Sequence, residues 1–162
     1  MTAPDQSPGL VTLERPSVFL DSVGRQFGPS AWMTITQPMI DQFAEATTDY
    51  QWIHCDPARA ARELPGGKTI AHGYLTLSLL IPLQASLVKV DNVRHALNYG
   101  ANRLRFVSPV PVDSRIRLVQ TVTASERLKD GAIRTVMDCT FELEGSPKPA
   151  LVAEVVGLYY EA

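Results

Sequence analysis

Between Ala71 and Val90 the chain reads "AHGYLTLSLLIPLQASLVKV", a helix-forming run that is apolar on nearly every side. Such a run offers no solvated face, so it must be enclosed by a bilayer or by the rest of its own fold. A single membrane span takes about 20 consecutive, mainly apolar residues. Here Thr76, Ser78, Pro82, Gln84 and Ser86 interrupt the run. It therefore predicts a helix buried inside a protein, and the remaining chain has to supply the walls.

Downstream of this run the pattern changes period. In "GAIRTVMDCTFEL", Ile133, Thr135, Met137, Cys139, Phe141 and Leu143 point one way, and Arg134, Asp138, Thr140 and Glu142 the other. That is a half-solvated antiparallel strand. Asp130-Gly131 is a hairpin signal pairing it with "SRIRLVQTVTA". "ALNYGANRLRFV" and "PALVAEVVGLYY" supply two more strands. An antiparallel sheet wrapped around one apolar helix is an α+β architecture, and the wrapping accounts for a helix that is apolar all round. At 162 residues the chain suffices for one domain with a real core. Residues 1–16 read as a polar, Pro-containing leader without the features of a signal peptide, and 17–162 as a single domain.

The net charge of −2 is spread, which excludes a nucleic-acid surface or a membrane patch. Cys55 and Cys139 have no metal-binding or redox spacing and fit free thiols in a reducing cytoplasm.

A second stretch, "TTDYQWIHCDPARAA" at 47–61, places Asp49 and His54 five positions apart. On a helix that offset is about 140° of rotation, and on a strand it is opposite faces. The pair converges only where the chain is irregular. Thr36 with Pro38 opens a helix that carries Ile40, Phe43 and Ala44 on one stripe, and Asp56-Pro57 opens another. Asp49 and His54 are thus expected in a loop between a helix ending near Thr47 and one starting near Pro57.

These residues carry a resemblance. "TTDYQWIHCDPARAA", followed by "GGKTIAHGYLTLSLL" and later by "LNYGANRLRFVSPVPVDSRI", resembles the MaoC-like, (R)-specific enoyl-CoA hydratase family, in particular its nodulation protein N-like branch. The resemblance runs from about Val23 to the C-terminus. It implies the hotdog fold, a catalytic Asp49 and His54, and an Ala71-His72-Gly73 segment at the start of the central helix. It also implies a homodimer, with an acyl-CoA or acyl-carrier-protein thioester as substrate and neither metal nor further cofactor. Where the family often has Thr-Gly-Asp, this chain has Thr47-Thr48-Asp49; Gln51 and Trp52 replace the Asn and Pro of the hydratase signature. Glycine permits backbone angles that threonine resists.

The chemistry derives from the residue types. Hydrating an α,β-unsaturated thioester needs a base for water, an acid for Cα and donors for the charge growing on the thioester oxygen. An aspartate (about 3.9) beside a histidine (about 6.5) in an apolar pocket supplies the first two. Asp49 is the expected main base, with His54 orienting the water and sharing in proton delivery. Gly73, in the first helical turn, offers a free N–H as an oxyanion hole and lets the thioester approach. The apolar pocket beside the helix takes the acyl chain.

Gln51, Ala71, His72, Asn98 and Tyr99 are the expected substrate-binding residues. Other readings stand beside these: His72 as a helix cap, and Asn98, Tyr99 and Asn102 as parts of a strand bulged at Gly100. Thr76 and Ser78 either pack the helix or line the pocket; Trp52 anchors the loop. Lys68, Arg103 and Arg105 are surface charges or contacts for coenzyme A phosphates. Cys55, adjacent to His54, points away from it and is no nucleophile. Two other function classes remain, a hotdog thioesterase and a non-catalytic acyl-binding subunit.

Overall fold

The structure is a computed structural model that describes residues 9–162. In chain order it contains β1 (Val11–Leu13), a 3-10 turn (Pro16–Asp21), β2 (Gln26–Phe27), β3 (Met33–Thr34), α1 (Gln37–Thr47), α2 (Trp52–Cys55) and α3 (Pro57–Glu63). Then come α4 (Gly73–Ser78), α5 (Leu80–Leu87), β4 (Val88–Val90), β5 (Val93–Phe106), β6 (Arg115–Arg127), β7 (Ile133–Leu143) and β8 (Leu151–Glu161). The long strands make one antiparallel sheet in the order β2-β6-β7-β8-β5, with β3 also on β6. The expected arrangement is present: the α4–α5 helix lies against this sheet, the hotdog architecture.

The alternation predicted for β7 is seen in its burial. Ile133, Thr135, Met137, Cys139 and Phe141 are buried toward the helix, and Asp138 is exposed. Val136 departs from it, being buried on the opposite face. Leu75, Leu80, Leu83 and Leu87 meet Ile116, Leu118, Met137 and Phe141 in one core. Asp130-Gly131 lies in the turn between β6 and β7, with Gly131 at φ 89° and the Ala132 N–H on Asp130.

Three features differ from the sequence reading. The central helix is two pieces meeting at Leu79. Pro82 has no N–H for the Ser78 carbonyl, which removes one rung of the ladder at that point. The helix is also not wrapped on all sides, because Tyr74 is 66% and Ile81 48% exposed. Beside them runs β5, a sheet edge on which Leu97, Tyr99 and Phe106 are exposed. Finally, part of the stretch read as a leader is packed chain. Val11–Leu13 pairs in parallel with Val88–Val90, and Leu13 joins the core; residues 1–8 of the leader lie outside the described residues. Among the described residues no helix is long and apolar enough to cross a membrane.

Candidate active site

Local chemistry builds the site. The Thr36 side chain accepts the Met39 N–H and opens α1, and the Asp56 side chain accepts the Arg59 N–H and opens α3. Between these helices the chain turns at Thr48, which takes a left-handed conformation (φ 59°, ψ 21°). Glycine adopts that region without cost, whereas a β-branched residue does so under strain. The segment after it, expected to be loop throughout, is partly helical. The Gln51 carbonyl accepts the His54 and Cys55 N–H groups, winding the single turn α2 and swinging His54 inward. Arg59 stacks on the Trp52 ring at 4.1 Å, fixing the outer side of that turn.

His54 is 7% exposed, and its Nδ1 lies 2.7 Å from the Ile70 carbonyl oxygen. A carbonyl only accepts, so Nδ1 carries the proton and Nε2 is left with a lone pair. Gln37 holds the same residue by its backbone, donating from Nε2 to the His54 carbonyl at 2.8 Å while its Oε1 accepts from the buried Thr69 hydroxyl. Burial lowers the His54 pKa below the usual imidazole value, and the neighbouring His72 adds to the effect. The hydrogen bond to Ile70 and the charge of Asp49 oppose it.

Asp49 sits at the rim, its side chain 54% exposed, with the Gln51 N–H at 3.4 Å from Oδ1. One side-chain atom each of Asp49, His54 and His72 lies within 4.8 Å of the others. Two hydrogen bonds through one water span such a gap. The same three residues are the only such cluster of potential metal ligands among the described residues. His72 Nε2 is not a free ligand atom there, because it lies 2.9 Å from the Asp49 carbonyl oxygen and must be protonated to bond it.

Behind His54 is a cavity of about 240 Å³, lined by Ile70, Ala71, Gly73, Thr76, Phe106 and Val110 among others. Gly73 opens α4 there, and a Cβ on it would come within 3.0 Å of the Phe106 ring. Ala71 also belongs to this wall, donating its N–H to the Val110 carbonyl. Thr76 lines the cavity, whereas Ser78 is exposed and donates to the Tyr74 carbonyl.

Other predicted residues fall elsewhere. His72 makes no side-chain cap. The Gln51 side chain is exposed, so that residue contributes through its backbone. The register of β5 shifts between Asn98 and Gly100, which is the bulge. Asn98 lines a separate groove with Ile81 and Gln84, and Tyr99 is 68% exposed. Within one chain neither lines the cavity behind His54; the β5 residue that does is Phe106, at the end of the strand. Lys68 pairs with Asp113 and Arg103 with Glu154. Burial raises the Cys55 thiol pKa, the reverse of what a nucleophile needs. Gln37, Thr69 and Phe106 were not anticipated; a hydrogen bond to a backbone carbonyl and a ring across the fold leave no local sequence signal.

Comparison with known proteins gives the family. Residues 18–139 match the model of the MaoC-like domain family. The chain is 46% identical over 148 residues to 3-hydroxyacyl-thioester dehydratase Z of Mycobacterium tuberculosis, covering 91% of this chain and 97% of that protein. It is 43% identical over 132 residues to nodulation protein N of Rhizobium leguminosarum bv. viciae, covering 81% and 82%. The crystal structure of a MaoC-like dehydratase from Rhodospirillum rubrum superposes with a TM-score of 0.69 at 19% identity, covering 86% of this chain and 93% of that one, a likeness of fold. The chain belongs to the MaoC-like dehydratase family.

Proposed function

We propose that this chain is a hydro-lyase acting on acyl thioesters. It adds water across a trans-2-enoyl thioester to give the (R)-3-hydroxyacyl thioester, and runs the reverse dehydration. The observation that carries the reading is the juxtaposition of the Asp49 carboxylate with His54, whose Nε2 bears a lone pair, at the mouth of a cavity opening on Gly73. The family relation and the dehydratase name of the mycobacterial relative support it.

In this reading one water sits between Asp49 and His54. Asp49 takes a proton from it as its oxygen bonds to Cβ. The π electrons move through Cα to the thioester oxygen, where the Gly73 N–H meets the developing charge. Cα then takes a proton delivered through the pair, so H and OH are added and both side chains return to their starting states. The thioester carrier is coenzyme A or acyl carrier protein. The acyl chain enters the apolar cavity behind His54, beside the helix start, between Ile70, Thr76, Phe106 and Val110.

The working unit in this proposal is a homodimer in the cytoplasm. The exposed edge β5 and the adjoining Tyr74, Ile81 and Phe106 form the apolar surface that a second copy covers. Following enoyl absorbance and free thiol together tests the activity. Loss of the conjugated double bond without thiol release supports the hydro-lyase; thiol release assigns a thioesterase instead.

A further inference from the structure

His72 is the least exposed of the three clustered residues Asp49, His54 and His72, at 3%. It stands at the N-cap of α4, yet its ring does not cap the helix. Its contacts go to both members of the proposed pair. Nε2 lies 2.9 Å from the Asp49 carbonyl oxygen. Its ring lies on the His54 ring with centroids 3.8 Å apart and planes 26° apart. Phe43 packs 5.0 Å away and closes in the assembly.

The tautomer is determined by these contacts. Bonding to the Asp49 carbonyl requires the proton on Nε2, so a neutral His72 has a bare Nδ1. Nδ1 is buried and has no hydrogen-bond partner. Leaving a buried polar atom unpaired is unfavourable, so filling space alone does not account for an imidazole here. What the ring supplies is the donor. The Asp49 turn comes after Thr48, which is held in a strained left-handed conformation, and the His72 bond ties that turn to the start of the central helix. His54 is opposite in tautomer, with Nδ1 protonated toward Ile70.

We propose that His72 is a positioning residue for Asp49 and His54: its Nε2–H holds the Asp49 peptide and its ring face holds the plane of His54, so one buried side chain sets the gap that the water occupies. This rests on the hydro-lyase reading. In this proposal His72 acts through Asp49 and His54.

Two measurements test it. The first uses the wild-type protein with 15N-labelled histidine and long-range 1H–15N correlation. There are three histidines, so single variants assign them. The expected spectrum has His72 protonated at Nε2 and His54 at Nδ1; His72 protonated at Nδ1 overturns the proposal, whatever the activity. The second is hydration kinetics on trans-2-butenoyl-CoA with His72→Phe, which keeps a ring without the donor, and His72→Gln, which restores a donor near the Nε2 position. His72→Phe is expected to lower kcat about 10- to 100-fold with KM changed less than about two-fold, as misplacement of a reacting group does. His72→Gln is expected to recover most of that loss. Wild-type kcat in a folded His72→Phe, or equal losses in both variants, overturns the role. If the variants do not fold, the wild-type tautomers decide. A wild type that does not hydrate fails the parent reading, which is a different result from variants that match an active wild type.

Discussion

His54 and Ile70 are joined by a 2.7 Å hydrogen bond from the imidazole Nδ1 to the main-chain carbonyl. This bond turns Nε2 into an acceptor, and burial lowers the pKa so that the ring is neutral at pH 7. Protonation at Nε2 would convert the acceptor into a donor. Hydratase activity is therefore expected to hold down to below pH 6.5, the free imidazole value, and to fall only as pH drops through the lowered folded pKa. An acid limb in kcat/KM centred above 6.5 would contradict this.

The same shift has a stability sign. Below about pH 6.5 the unfolded chain takes up the His54 proton before the folded one does, so acid favours unfolding. This contribution to stability is full above pH 6.5 and is lost as pH falls toward the folded pKa. Urea melts at pH 7.5 and 5.0 should show wild type losing more stability on acidification than His54→Phe. Equal losses would place His54 outside this linkage.

Thr48→Gly is expected to stabilise the protein. Threonine at φ 59° carries roughly 1–2 kcal/mol of strain. Glycine returns about 0.5–1 kcal/mol of that through its freer unfolded chain. The net expectation is a gain of about 0.5–1 kcal/mol, or roughly 2 °C in Tm. A lower Tm would mean that the Thr48 hydroxyl bond to the Thr47 carbonyl, at 2.7 Å, outweighs the strain.

Much of the fold was legible in the residues, for identifiable reasons. The β7 alternation, the Thr36 and Asp56 caps and the Asp130-Gly131 turn are local patterns, and each is found in the structure. The short strands Gln26–Phe27 and Met33–Thr34 were missed because each consists of two residues held only by pairing with β6. Asp49 and His54 stood out by spacing and motif, and the structure brings them together. The supports of His54 are a main-chain carbonyl at Ile70 and the side chain of Gln37, seventeen positions upstream, neither of which leaves a periodic trace. Asn98 and Tyr99 are expected at the site because their motif is distinctive, but they lie in the middle of β5, whereas it is the end of that strand, at Phe106, that lines the cavity behind His54.

Gly73→Ala tests the space at the helix start. The new methyl would meet Cδ1 and Cε1 of Phe106 at 3.0 Å. The clash is with a side chain and not with backbone, so the stability cost should be about 1–3 kcal/mol, the usual range for overpacking. Adding Phe106→Leu should return the stability. It should not return activity, because the methyl itself occupies the approach to the Gly73 N–H. Full activity in Gly73→Ala would remove that N–H from the oxyanion role.

The exposed edge gives a prediction about assembly. Leu97→Lys combined with Tyr99→Lys places charge on the edge strand, at side chains now 49% and 68% exposed. Light scattering should show a dimeric wild type and a monomeric double variant with the same circular dichroism. A monomeric wild type would contradict the proposed interface.

Joint activation of water by Asp49 and His54 is best tested by hydration of trans-2-butenoyl-CoA with wild type, Asp49→Asn and His54→Ala. Wild type should consume the conjugated double bond without releasing thiol, and each variant, still folded, should lose at least about 100-fold in kcat, the scale of general acid–base catalysis. Turnover by either variant at the wild-type rate would refute the shared role of the pair.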